Sequence, residues 1–467
     1  MNKLFPLFAA LFLIACGSEP PAKEPTSEAV QVGDTYETDV LTHPDWSHDA
    51  TIYEVNIRQH TPEGTFKAFE ADIPRLNEMG VEIMWLMPIH PIGEVNRKGG
   101  LGSYYAVKDY TAVNPDYGTM EDFKSLVTTA HSYGMRVIID WVANHTAFDN
   151  VWTKDHMDYY MLDSLDQLQP PLGTDWWDVA QLDWKGEVKN EAMWNAMTES
   201  MAFWLTEANI DGFRCDVADF VPVEFWDQAR QALEKVNPQV FMLAEAENPK
   251  HHERAFDMSY SWEFMHIMNE IAKGEKQLSA IDEYMAKEDT NFVESAYRMM
   301  FTTNHDENSW NGTVFDRYGD GHLAYATLAF TINGMPLIYS GQEAGNNEAL
   351  EFFEKDTVKW GDYIYQDFYT KLMKLNRENE ALWNGHFGGD FIKLPTTADD
   401  KIYAFMRKKE EHEVITIVNL SEEPTTVELV EALGSEYKSI FNNQMLSVFT
   451  NGELKLDKFG YQVFVKE

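Results

Sequence analysis

The stretch Arg136-Val137-Ile138-Ile139-Asp140-Trp141-Val142-Ala143-Asn144-His145 carries the first reading of the fold. Val137, Ile138 and Ile139 are apolar at consecutive positions, so a strand here shows water neither face, as in parallel strands covered by helices. The run turns polar at its carboxyl end. Strand-like segments of the same kind stand at Thr51–Ile57, Glu82–Ile89, Gly212–Ala218, Val240–Ala246, Asp257–Trp262, Tyr297–Asn304 and Met335–Gly341. Amphipathic stretches lie between them at Phe66–Met79, Met120–Tyr133, Ala192–Ala208, Glu224–Val236 and His322–Thr331, and a last helix is expected over Phe368–Ala381. Thr119 is placed to cap the second of these helices. Eight strand–helix units within residues 41–384 suit a (β/α)8 TIM barrel with insertions. A doubly wound open sheet also fits the alternation, and the pattern leans to the barrel.

Two departures from the repeat set the domain organisation. Residues 145–190, between the third strand and the helix at Ala192, form an inserted domain rich in Asp, Trp and Pro, including Trp176 and Trp177. A loop of that length inside a folded domain is usually functional. From 385 to 467 the apolar period becomes two, with strands at Lys401–Arg407, Val414–Val418, Thr425–Leu429 and Tyr461–Val465. A separate C-terminal antiparallel β-sandwich is therefore expected.

At the amino terminus Lys3 precedes an apolar run from Leu4 to Ala15, too short to span a bilayer. The run ends Leu13-Ile14-Ala15-Cys16, which looks like a bacterial lipoprotein signal; a plain secretory signal with a chance cysteine is the alternative. The expectation is a signal peptide over 1–15, a lipid anchor on Cys16 and an acidic, proline-rich tether over 16–40. That arrangement would hold the chain at a membrane of the bacterial cell envelope through the lipid alone. Cys215 is the one other cysteine, so the processed chain has no intramolecular disulfide. With 44% hydrophobic residues the chain has the apolar content that disordered proteins lack. Its 77 acidic residues against 37 basic ones leave a formal charge of −40, which argues against a nucleic-acid partner. That charge is assigned to solubility.

Chemistry gathers at the carboxyl ends of four strands. The third ends Asp140-Trp141-Val142-Ala143-Asn144-His145, and the fourth reads Gly212-Phe213-Arg214-Cys215-Asp216-Val217-Ala218-Asp219. The fifth reads Met242-Leu243-Ala244-Glu245-Ala246-Glu247-Asn248, and the seventh ends Phe301-Thr302-Thr303-Asn304-His305-Asp306. Strand alternation puts Arg214 and Asp216 on one face and Phe213, Cys215 and Val217 on the other. In a barrel the first pair would point into the mouth, and Cys215 would be an inert residue under the helices. Three carboxyls so placed suit glycoside cleavage, in which one acid attacks the anomeric carbon and another protonates the leaving oxygen. Arg214 can hold Asp216 ionised. Glu245 has no basic neighbour in the sequence, which suits a proton donor of raised pKa. Asp306 can grip sugar hydroxyls as the ring flattens.

Taken together, these segments resemble the conserved regions of the α-amylase family, glycoside hydrolase family 13, over about residues 45–465. The resemblance implies Asp216 as nucleophile, Glu245 as general acid/base and Asp306 as transition-state stabiliser. It implies Arg214, His145 and His305 as residues around the scissile sugar, with Asp140 a scaffold for the site. Ser103-Tyr104-Tyr105-Ala106-Val107-Lys108-Asp109-Tyr110 is similar to the segment after strand two and offers Tyr105 as a platform against the sugar ring. Gly334-Met335-Pro336 and Gly341-Gln342-Glu343 resemble the strand-eight segment. The chain departs from the best-known members where a Lys-His pair is replaced by Asp219-Phe220. Asn144 and Asp183 still match two oxygen ligands of the family's calcium site; calcium wants six to eight, so a structural calcium stays open while catalysis requires no cofactor. Trp176 and Trp177 read equally as sugar platforms or as packing for the insertion.

The implied function is retaining hydrolysis of α-1,4-linked glucans such as starch or maltodextrin. A 4-α-glucanotransferase and an exo-acting or α-1,6-specific glucosidase remain as alternatives within the family. A non-catalytic glucan-binding protein is disfavoured, because a binder has no need of all three acids. Oligomeric state is not legible.

Overall fold

The computed structural model describes residues 41–186, 189–431, 433–442, 444–446 and 453–466. The signal peptide, Cys16 and the tether expected over 1–40 lie outside the described residues. Eight parallel strands follow in chain order: β1 (Ile52–Val55), β2 (Ile83–Leu86), β3 (Arg136–Trp141), β4 (Gly212–Cys215), β5 (Phe241–Ala244), β6 (Met258–Tyr260), β7 (Tyr297–Met300) and β8 (Met335–Tyr339). Each pairs with its neighbour in the chain, and β1 pairs with β8 through Ile52↔Leu337, Tyr53↔Ile338 and Glu54↔Tyr339, which closes the barrel.

Alternate residues of these strands enter two different cores. Ile52, Ile83, Trp85, Ile138, Phe241, Leu243 and Met299 fill the barrel interior. Their sequence neighbours Tyr53, Met84, Leu86, Ile139, Phe213 and Met242 pack outward beneath the helices. Each such burial is worth about 1.5–3 kcal/mol relative to exposure, so a one-residue slip would forfeit both sets at once. The same parity aims Glu54, Asp140, Arg214 and Asp216 inward. Cys215 is buried in the outer layer with the helix residues, on the face expected for it.

Local chemistry explains most element ends. Thr119 caps the helix Met120–Ser132 with a full capping box: Asp122 N–H donates to Thr119 Oγ1 (3.2 Å) and Thr119 N–H to Asp122 Oδ2 (2.9 Å). The single helix expected over Phe66–Met79 is instead two, Phe66–Glu70 and Ile73–Met79. Pro74 has no N–H for a bond within a continuous helix and stands at the start of a new one. β1 is shorter than expected: Gln59 and His60 N–H groups both turn back to Asn56 O, converting Ile57–His60 into a helical turn. Two helices between β6 and β7, Trp262–Ala272 and Ser279–Asn291, were not anticipated.

After β3 the chain pairs His145–Ala147 antiparallel with Val179–Gln181. At the carboxyl end, strands Asp390–Lys393, Ile402–Lys409, His412–Asn419, Tyr461–Lys466, Tyr437–Ser439 and Met445–Leu446 form one antiparallel sheet in that order. A second pair, Thr425–Val427 and Leu454–Leu456, completes the layer beside it. This sheet is not an independent body: Val414 and Val463 share one core with the barrel's helices, and Tyr403, Phe405 and Val418 share the other with the helix His322–Thr331.

Gly212 opens β4 where strands β4 and β5 meet most tightly, since a Cβ there would lie 2.0 Å from Phe241 O. Gly212→Ala is expected to destabilise by about 1–3 kcal/mol, read as a lower urea midpoint, and to displace Arg214 two residues on.

Candidate active site

The top inward layer of the barrel centres on a buried cation. Arg214, from β4, donates through Nη1 to Asp140 Oδ1 (2.9 Å) and Asp216 Oδ1 (3.1 Å) and through Nε to Tyr260 Oη (3.2 Å). Its Nη2 lies 2.9 Å from Glu245 Oε2 as an ion pair. The guanidinium is wholly buried, with Trp85 and Tyr260 rings 5.0 and 5.6 Å from its centre. Asp140 is held in turn by Trp85 Nε1–H (3.2 Å) and Tyr105 Oη–H (3.1 Å). Asp140 touches no part of the open cleft and orients Arg214, as its scaffold role implies.

A second cation sits on the seventh strand's exit. His305 Nδ1 meets Glu54 Oε1 at 2.5 Å, and its Nε2 lies 2.7 Å from Tyr105 Oη and 3.4 Å from Asp306 Oδ2. Burial opposes charging of this ring, but Asp306 and Glu54 outweigh it and push the pKa up to about 9. His305 is therefore an imidazolium at neutral pH, donating from both nitrogens. A chain of hydrogen bonds then runs from Glu54 through His305 and Tyr105 to Asp140 and Arg214.

The two central acids belong together. Asp216 N–H donates to Trp141 O (2.9 Å), Glu245 N–H to Cys215 O (3.0 Å) and Ala218 N–H to Glu245 O (3.1 Å), which locks the strand exits side by side. Burial raises the pKa of Asp216 strongly, the Glu245 charge adds to that, and Arg214 opposes both. Burial likewise raises Glu245, against the pull of Arg214. The pair titrates as a unit and retains a proton more readily than isolated acids do. Two expectations need correction here. Glu245 does have a basic neighbour, Arg214, brought to it by strand pairing. Arg214 also does not by itself settle the charge of Asp216, because its pull is outweighed by burial and by the facing acid.

Val217 is in the left-handed region at φ 37°. For a β-branched residue this is real backbone strain. The turn it makes aims Val217 N–H at Glu245 Oε2 (2.8 Å). Strain is thus spent on orienting the acid.

Asp216, Glu245 and Asp306 open together onto one cleft of about 510 Å3, lined also by Tyr105, His145 and His305. The structure therefore gathers all three acids and these sugar-site candidates in one place, with Arg214 directly beneath. Trp176, Trp177, Trp310, Phe352 and Phe353 give the cleft aromatic walls. Trp176 is part-buried against His145 and Phe220, with ring centres 5.4 and 6.2 Å away, while Trp177 is half exposed.

His145 is kept neutral, its pKa lowered to about 3 by burial. Its Nδ1 accepts from Asn144 Nδ2 (3.2 Å), which leaves the ring proton on Nε2. Asn144 is in turn paired with Gln181, whose Nε2 donates to Asn144 Oδ1 (2.9 Å), Asn144 O (3.0 Å) and Leu182 O (2.9 Å). Asn144 Oδ1, Asn144 O and Leu182 O thus all accept from the Gln181 amide, which leaves the Asn144 side-chain oxygen already engaged. The carboxylate of Asp183 lies beside Gly186. Asn144 and Asp183 do not fit a calcium ion in this arrangement, and among the described residues no group of three or more His, Cys, Asp or Glu side chains could hold a metal. Sequence reasoning missed Gln181, as it missed Glu54, Trp85 and Tyr260; a polar residue at an inward parity position was the available signal for Glu54.

Residues 48–383 match the family model described as the α-amylase catalytic domain, and residues 393–463 match the maltogenic amylase C-terminal domain. The chain is similar to α-amylase MalA of Haloarcula japonica, 25% identical over 405 residues, covering 83% of this chain and 57% of that protein. It thus spans little more than half the length of that relative. It is also similar to an α-1,4-glucan:maltose-1-phosphate maltosyltransferase of Picrophilus torridus, 25% identical over 413 residues, covering 82% of this chain and 62% of that one. Among solved structures, the noncanonic maltogenic α-amylase AmyB of Thermotoga neapolitana superposes with a TM-score of 0.80 at 28% identity, covering 90% of this chain and 98% of that chain.

Two measurements check this geometry. A chelator is expected to leave the wild-type Tm unchanged, whereas Gln181→Ala takes the donor from the buried Asn144 side chain and costs about 1–3 kcal/mol. The folded pKa of His305 lies above its ordinary 6.5, so its contribution to stability is complete below pH 6.5 and is lost as pH rises through about 9. Stability profiles of wild type and His305→Gln are therefore expected to converge on the alkaline side.

Proposed function

Because the chain belongs to the α-amylase family and is an enzyme of the glycoside hydrolase type, we propose that it hydrolyses α-1,4-glucosidic bonds of starch or maltodextrins with retention, by double displacement. The observation that carries this reading is one buried guanidinium, Arg214, in reach of both Asp216 and Glu245 while the two acids share a cleft with Asp306.

In the first step Asp216 attacks the anomeric carbon as a carboxylate, and Glu245 gives its proton to the departing glycosidic oxygen. The dyad's shared proton must be on Glu245 at this point; Arg214 touches both acids, Asp216 through an Nη1–H bond and Glu245 as an ion pair, so it holds the pair together and does not by itself place that proton. Asp306, beside the His305 imidazolium, receives the ring hydroxyls, whose hydrogen bonds strengthen as positive charge spreads over the ring. In the second step Glu245 takes a proton from water, the hydroxide equivalent attacks the glycosyl carbon, and Asp216 leaves. Tyr105, stacked on His305 at 5.6 Å, presents its ring at the floor of the same pocket.

A transferase, in which a second sugar takes the place of water, is the other reading. It is supported by the similarity to a maltosyltransferase. The proposal also keeps Cys16 as a lipid attachment that holds the enzyme at the bacterial envelope, a point decided by fatty-acid labelling of wild type against Cys16→Ala.

Asp216→Asn and Glu245→Gln are each expected to lower kcat on maltoheptaose by about 10³-fold or more. The first product anomer, followed by NMR, should be α. A β product, or variants as active as wild type, would overturn the mechanism. Product profiles with and without added glucose separate hydrolysis from transfer.

A further inference from the structure

The segment after β2 lies between the two walls of the cleft. On one side, Lys98 Nζ donates to Asp175 O (2.8 Å) and pairs with Asp178 Oδ1 (3.1 Å), both in the insertion. On the other side, Leu101 N–H donates to Phe353 O (3.0 Å) and Gly100 N–H to Glu354 Oε1 (2.6 Å), in the segment after β8. Gly99 is left-handed at φ 63°, and a Cβ there would fall 2.4 Å from Phe353 Cβ. The glycines thus permit a backbone contact that no other residue allows. Lys98 itself is largely buried, with its amine 5.2 Å from the Trp177 ring centre and 6.0 Å from that of Phe353. Residues 98–101 therefore form a strap that touches both walls.

The strap has a definite position relative to the chemistry. Glu245 must reach the leaving oxygen, so it marks the aglycone side. Asp306 and Tyr105 grip the glycone ring. The segment holding the strap belongs to the second group, since Phe352 stacks on Tyr105 with ring centres 6.1 Å apart, only 13° from parallel. Lys98 and Phe353 line the same cleft as the three acids, so the strap borders the path of a glucan that continues past Tyr105.

We propose that the strap headed by Lys98 closes the glycone end of the cleft, making the enzyme exo-acting on the non-reducing ends of short α-glucans. This rests on the roles given above to Asp216, Glu245 and Asp306. The ion pair with Asp178 and the Asp175 carbonyl hold the strap down, and a bulky group on the terminal glucose has no room beyond it.

The test compares maltoheptaose with maltoheptaose whose non-reducing glucose is capped by an ethylidene acetal, using the full chain. Wild type should cut the free sugar at least about tenfold faster by kcat/KM. Lys98→Ala should narrow that ratio severalfold by releasing the strap, and Lys98→Arg should preserve it, with both variants matched to wild type in Tm. Equal cutting of both sugars by wild type overturns the strap proposal alone, as does a ratio unchanged in Lys98→Ala. Failure to cut either sugar overturns the glucan hydrolase reading and this inference with it.

Discussion

A guanidinium buried without water must be surrounded by acceptors, and everything near the top of this barrel is arranged around that requirement. Arg214 meets it with Asp140, Asp216, Glu245 and Tyr260. A planar fork with fixed donor directions can hold several carboxyls in a set relation, which a lysine ammonium cannot do. The cost of burying its charge is offset because the acids around it are buried too, and each would be more costly alone. Asp140 serves only this purpose. The carboxyls that face the cleft gain a fixed geometry from it.

The cluster is nevertheless unbalanced. Glu54, Asp140, Asp216, Glu245 and Asp306 face two cations, Arg214 and the His305 imidazolium. Burial is the main cause that pushes the central acids upward together, and the neighbouring carboxylates add to it. A site of this kind favours keeping a proton among its central carboxyls. The strained Val217 backbone, whose N–H donates to Glu245 Oε2, then fixes the orientation of that acid.

Scaffold and selectivity are carried by different parts of the chain. The reacting groups stand on strand exits, locked by barrel hydrogen bonds and by the parity that sorts residues into two cores. The walls that bound the cleft come from loops: the insertion after β3, the strap after β2 and the segment after β8. Loops can change without disturbing the barrel. The amide of Gln181 illustrates the same economy, since one side chain both ties the insertion to Asn144 and orients His145 through it.

Much of this was readable from the chain alone. Apolar triplets such as Val137-Ile138-Ile139 and the strand–helix alternation depend on periodicity, a local property, so the covered parallel strands, the position of Cys215 and the Thr119 cap could be read from the chain. Closure into a barrel rather than an open sheet depended on the pairing of the first and last strands. The motifs at Asp216, Glu245 and Asp306 are local as well. What lay beyond reach were relations between segments far apart in the chain. That Arg214 serves Glu245 as well as Asp216, that Glu54 pairs with His305 across 251 positions, that Gln181 engages the Asn144 side-chain oxygen, and that Lys98 reaches Asp178 are all set by strand order and loop packing. The sequence determined which residues face inward and which chemistry they bring; only the tertiary structure decided which charges meet. Facing is dictated by backbone parity within one strand, whereas a contact between charges depends on how separate strands and loops come to rest against each other.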